Sequence, residues 1–156
     1  MLPDGAEYTA LREENWPKMA WNHPTCIATQ VDAEQAASLV KVVVDSHVRF
    51  AIRTRGHFQI PGDSNIDTGV LISLKQINHV YFDAKASLVS MGPGARCNNV
   101  CGELDKCNWT MVGGRIMDVG VGAWCSNVGC RTCIATDFKA LMYRSTRSGA
   151  AQNFST

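Results

Sequence analysis

Three glycine-bearing clusters hold the residues of this chain best suited to chemistry: "RTRGH" at Arg53 to His57, "GPGAR" at Gly92 to Arg96, and "GGRIMDVGVG" at Gly113 to Gly122. A loop that receives a phosphate turns successive backbone N–H groups inward, and glycine permits both the angles and the close approach. Glycine also builds ordinary turns, so no single cluster specifies an anion site. The familiar nucleotide signatures are missing. The "GVG" run lacks the spacing of a dinucleotide fingerprint, and no Walker lysine pattern occurs. Taken alone, His57 is a solvent-facing loop histidine.

Cysteine supplies the other candidate chemistry. Seven cysteines cannot all pair, and without an export signal the expectation is reduced thiols. A structural zinc site wants two short-spaced ligand pairs. Only Cys130 and Cys133 have that spacing, with Cys97, Cys101, Cys107 and Cys125 upstream. Buried or idle thiols are therefore the preferred reading. A zinc module built on Cys125, Cys130, Cys133 and His79 is the alternative.

Composition narrows the class. At 156 residues the chain suffices for one compact domain. A net charge of +1 gives no reason to expect nucleic acid. The N-terminus lacks a basic-then-apolar signal pattern, and no run approaches the roughly 18 apolar residues of a membrane span. These features predict a soluble, cytoplasmic protein with no membrane partner.

The elements that must position the clusters alternate in type. Asp32 precedes "AEQAASLVKVVVDSH", where Ala33, Ala36, Ala37, Val40, Val43 and Val44 recur at helical spacing, and Asp32 with Gln35 makes a capping-box pattern. In "VRFAIR", Val48, Phe50 and Ile52 alternate with polar neighbours, which predicts a half-buried strand with those three inward. "GVLISL", "HVYFD" and "SLVSMG" read as further strands, with "DAKA" as a turn. "NNVCGELDKC" reads as a short helix and "WTMVGGR" as a strand running into glycines. The order predicts an α+β fold of mixed α/β character. From Cys125 onward periodicity is weak, and a poorly ordered tail over 125–156 is expected.

Order and spacing together say more than each cluster. The succession "FAIR..GH....GDSNIDTGVLISL..IN.V.FD", "VSMGPGAR...V...L", "VGGRI.DVGVG" resembles the FAD-linked oxidases with a p-cresol-methylhydroxylase-type flavin domain, particularly the berberine-bridge-enzyme-like fungal branch. The resemblance runs from about Pro24 to Gly122. It implies a partial FAD-binding domain over 24–124, with a small parallel sheet followed by a strand-rich subdomain, and residues 1–23 as an extension. It also implies that Arg53, Thr54, Arg55, Gly56 and His57 form the loop around the FAD pyrophosphate, with His57 bonded to the flavin 8α-methyl group. Ser64, Asn65, Asp67 and Gly69 match the segment entering the next strand. Gly92, Pro93 and Gly94 match a turn beside the cofactor, and Gly113, Gly114, Val119, Gly120, Val121 and Gly122 match the segment along the isoalloxazine and diphosphate.

Departures from that pattern qualify what the resemblance implies. The family loop has glycine where this chain has Arg55; a positive φ there would cost about 1 to 2 kcal/mol, which a guanidinium beside the pyrophosphate would partly offset. Ile116 stands where doubly linked relatives carry cysteine, which excludes a second thioether. Cys97 and Cys101 replace aromatic residues, and Ala123 replaces a glycine. The continuation after Trp124 and the substrate-binding domain with its catalytic base are not recognisable. The resemblance thus implies an FAD-dependent oxidase of small metabolites, truncated, with incomplete or no activity alone, and with a partner chain as the source of the missing domain. A catalytically silent domain of the same fold is the alternative.

Overall fold

The computed structural model describes residues 1–111, 113–114, 116–122, 138–141 and 143–144. Helix α1 spans Ala6–Arg12 and strand β1 Cys26–Thr29, followed by helix α2, Ala33–Asp45. Asp32 is extended and its Oδ1 accepts the Gln35 N–H at 2.8 Å, so the sequence cap is realised. At the other end His47 takes φ 53°, and the N–H groups of Val48 and His47 return to the carbonyls of Val43 and Val44. That is a Schellman closure, which turns the chain into the next strand. The buried stripe of α2 is narrower than the apolar periodicity predicts: Val43 is buried, whereas Ala37 and Val44 face solvent.

Strands β2, Phe50–Arg53, and β3, Val70–Ser73, pair in parallel, and β1 pairs in parallel on the other side of β3. The small parallel sheet is therefore as expected, with order β1-β3-β2. The strand over "VRFAIR" exists, but its inward face is the opposite one. Ala51 and Arg53 are buried, while Val48 and Ile52 are 42% and 43% exposed. The reason is Arg53: a buried arginine occupies a core position that apolar alternation assigns to the polar side.

A hairpin follows, β4 at Val80–Asp83 and β5 at Leu88–Met91. Its turn is the predicted "DAKA" segment, where the N–H groups of Lys85 and Ala86 donate to Asp83 Oδ1. Helix α3, Cys97–Asp105, packs on β4 and on β6, Trp109–Thr110. In the C-terminal region of weak periodicity, β7 at Phe138–Leu141 pairs with β5 and β8 at Tyr143–Arg144 pairs with β6. Two cores result. Tyr8, Ile27, Ala51, Ile66 and Leu71 fill one around the parallel sheet; Val89, Met91, Cys97, Val100, Leu104 and Val121 belong to the other.

Candidate flavin-binding site

The segment 54–57 leaves the carboxyl end of β2, the end of a parallel sheet where ligands are received in open α/β folds. Gly56 has φ +65° and sits against Asn15, so a side chain there would be both strained and crowded. Arg55 has no positive φ, and the conformational cost considered for that position does not arise. The main-chain N–H groups of Thr54, Arg55, Gly56 and His57 donate no hydrogen bond among the described residues. Four successive uncommitted donors next to a parallel sheet suit an anion. On that observation the residues present fit a diphosphate-bearing group.

The structure brings the three glycine clusters together. Arg55 Nε donates to the Gly94 carbonyl at 2.5 Å, and Val121 N–H donates to the Ala95 carbonyl at 3.0 Å. Arg96 and Gly120 form an isolated antiparallel bridge, and Cys97 N–H donates to the Val119 carbonyl. Gly122 lies against Thr54, where an added Cβ would be 2.8 Å from Thr54 Cγ2. Gly92, Pro93 and Gly94 are buried and anchored inside the fold: Gly92 N–H reaches the His79 carbonyl and Gly94 N–H the Ile77 carbonyl. Gly113 and Gly114 sit on Cys97, whose Sγ accepts the Gly114 N–H at 3.4 Å, and they line a cavity of about 380 Å³ with Cys101, Asp105 and Met117. A second cavity of about 470 Å³ lies at the opposite end of β2, lined by Val48, Arg49, Phe50 and Asp67 among others.

Arg53 behaves differently from its neighbours. Its side chain is 1% exposed and turns toward the N-terminal segment. Nη1 donates to Asn15 Oδ1 at 2.8 Å and Nη2 to the Leu11 carbonyl at 2.6 Å, with Glu14 Oε2 at 3.7 Å. The Arg53 guanidinium is thus occupied within the protein. Asn15, itself buried, is the hub that the sequence reading missed. Its Nδ2 donates to Ser64 Oγ at 2.8 Å, and its carbonyl accepts Trp21 Nε1–H at 2.7 Å. Nothing in "REENWPK" marks an asparagine for burial; only the fold reveals it. Trp16 N–H donates to the Gly56 carbonyl, and the Trp16 and His57 rings stand 6.1 Å apart. His57 is half-buried beside this exposed indole.

Arg55 feels one further cation and two carboxylates at the junction. Burial first, and then the neighbouring Arg96, pull the Arg55 guanidinium below its ordinary range, while Glu14 and Asp118 oppose the shift. Arg96 is ion-paired with Asp118. Among the described residues no group of three or more histidine, cysteine or acidic side chains could hold a metal ion; Cys125, Cys130 and Cys133 lie outside the described residues.

A family described as an FAD binding domain matches residues 24–137, a span that contains all three clusters and continues past Trp124. The chain belongs to this family. The FAD-binding domain is of the p-cresol-methylhydroxylase, berberine-bridge-enzyme-like type. Among curated relatives it is similar to the FAD-dependent monooxygenase tpcD of Cochliobolus heterostrophus, 36% identical over 99 residues, covering 64% of this chain and 19% of tpcD. It is also similar to the FAD-dependent monooxygenase macF of Penicillium terrestre, 36% identical over 118 residues, covering 75% of this chain and 23% of macF. The chain therefore spans about a fifth of the length of these relatives. Its fold is similar to that of 6-hydroxy-D-nicotine oxidase from Arthrobacter nicotinovorans, with a TM-score of 0.72 and 24% identity over 78% of this chain and 26% of the oxidase.

Proposed function

We propose that this FAD-binding domain receives the diphosphate of FAD on the main-chain donors of residues 54–57 and serves as the cofactor-holding part of an oxidoreductase of small metabolites. The observation that carries this reading is the set of main-chain N–H groups of Thr54, Arg55, Gly56 and His57, which donate to no described residue, at the point where the segments 92–96 and 119–122 converge. Bound there, FAD would supply hydride-acceptor chemistry toward a substrate C–H, with molecular oxygen as the final oxidant, reduced to hydrogen peroxide. The chain's own residues do the rest. Gly56 lets the loop turn back, Arg53 anchors its base to the N-terminal segment, and Trp16 shields one side of His57.

His57 is the attachment residue of this reading, and a covalent link would hold the cofactor against dilution and acid. The relatives are named FAD-dependent monooxygenases, and a monooxygenase takes molecular oxygen as a substrate, which supports oxygen as a reactant. Because the chain spans about a fifth of those relatives, we assign the substrate-facing surface and the catalytic base to polypeptide beyond it, on a partner or on a longer chain.

The test is to saturate the purified chain with FAD, remove free cofactor, denature in acid and measure flavin absorbance on the protein. We expect absorbance to be retained by the natural chain and lost in His57→Ala. A chain that takes up no FAD at all refutes the cofactor role; FAD bound but released by acid refutes the covalent link alone.

A further inference from the structure

Arg55 stands where all three glycine clusters meet. Its aliphatic stem lies on Gly120, where an added Cβ would come within 2.7 Å of Arg55 Cβ and 2.8 Å of Cγ. Its Nε is fixed by the Gly94 carbonyl at 2.5 Å. The side chain thus lies along the 119–122 segment, with Nε held at the 92–94 turn. Beyond Nε, its terminal nitrogens donate to no described residue. Arg96, ion-paired with Asp118, lies close enough to act on Arg55, as do the carboxylates of Asp118 and Glu14 in the opposite sense.

Resting on the reading that this junction receives FAD, we propose that Arg55 recognises the cofactor's diphosphate, presenting its terminal Nη groups to phosphate oxygens beside the main-chain donors of 54–57. A guanidinium fork matches two phosphate oxygens at once, and such charge-assisted hydrogen bonds are about twice as strong as neutral ones. The Nε contact adds preorganisation, because the fork is oriented before any ligand arrives. Where a glycine at this position would leave recognition to backbone amides alone, this chain adds a formal charge. The glycine at 120 makes room for the arginine stem.

The experiment is calorimetric titration of the full chain with FAD, ADP and riboflavin, for the natural protein and for Arg55→Gln, Arg55→Lys and Arg55→Gly, with thermal melts to establish folding. ADP carries the diphosphate without flavin, and riboflavin carries the ring without phosphate. We expect Arg55→Gln and Arg55→Gly to weaken FAD and ADP by about tenfold or more and to flatten the salt dependence, with riboflavin unaffected. Arg55→Lys, which keeps the charge without the fork, should lose less, and it decides the matter if the glutamine variant does not fold. FAD and ADP binding as tight as the natural chain's, or tighter, in Arg55→Gly overturns the proposal. Binding of ADP but not FAD by the natural chain sinks the flavin reading, and it sustains the role of Arg55 where Arg55→Gln and Arg55→Gly weaken ADP. No binding by the natural chain with binding by Arg55→Gly does the reverse, and no binding by any chain sinks both.

Discussion

The α-carbon of Gly120 and the side-chain stem of Arg55 occupy complementary space, with an added Cβ on residue 120 falling 2.7 Å from Arg55 Cβ. Gly120 is not among the glycines at positive φ, so its requirement here is contact and not backbone conformation. Gly120→Ala must displace the stem, and with it the Nε bond to Gly94. Overpacking of this kind costs about 1 to 3 kcal/mol. Urea unfolding of Gly120→Ala, Arg55→Gly and the double variant forms a cycle in which much of that cost should vanish once the arginine is gone. Additivity within about 0.5 kcal/mol would show that the two positions do not meet.

Arg53 ties the parallel sheet to the N-terminal segment through Asn15 and the Leu11 carbonyl, with Glu14 nearby and also paired with Lys75. Removing its guanidinium leaves a buried amide oxygen and a carbonyl without donors. We expect Arg53→Ala to cost about 3 to 5 kcal/mol, which is a large part of a small domain's stability. Arg53→Lys should restore only a fraction, since a single ammonium cannot serve both acceptors in the same geometry. Urea midpoints measure this; a loss below about 1 kcal/mol in Arg53→Ala would mean that the network is dispensable.

How far the sequence exposed this architecture depended on whether a signal was local. The Asp32 cap, helix α2, the hairpin β4–β5 and its turn were all legible, because capping, periodicity and turn chemistry act within a few residues. The face of β2 was not. Counting apolar residues put Val48 and Ile52 inward, but a buried Arg53 inverts the register, and only its partner Asn15, 38 residues earlier, explains why. For the same reason α1 and its role in the sheet's core went unread, since "AEYTALR" is apolar mainly at Ala6, Tyr8, Ala10 and Leu11 and its docking is tertiary. The glycine clusters were legible as pieces; that Gly94, Arg55 and Gly120 touch is a fact of folding.

Ser73 lies at the end of β3, opposite Arg53 in the ladder, and its buried hydroxyl has no hydrogen-bond partner among the described residues. A buried hydroxyl without a partner costs roughly 1 to 3 kcal/mol of desolvation. Ser73→Ala removes that cost and leaves only a small void. The expected result is a domain as stable as the natural one or more stable by about 1 kcal/mol, read from the urea midpoint. A clear loss of stability would reveal a partner for this hydroxyl.

Tyr8 gives the fold a dependence on alkaline pH whose sign follows from its surroundings. The ring is buried and the hydroxyl donates to the Pro24 carbonyl at 2.6 Å. Burial raises the phenol above its ordinary value, Arg12 opposes the shift, and Asp67 and Cys26 reinforce it. The folded state therefore favours the protonated phenol. Its contribution is fully present below about pH 10, where the unfolded phenol also keeps its proton, and is lost as pH rises through the higher folded value. In Tyr8→Phe the hydrogen bond is gone, at a cost of about 1 kcal/mol near neutrality, and nothing at this position titrates. Urea midpoints compared from about pH 8 to about pH 11 should thus converge, the natural chain falling more steeply than the variant. Lysine and cysteine titrations are common to both chains and cancel in the difference. Parallel curves would mean that the phenol ionises as readily in the fold as in the unfolded chain, and the docking of α1 on the parallel sheet would then need another account.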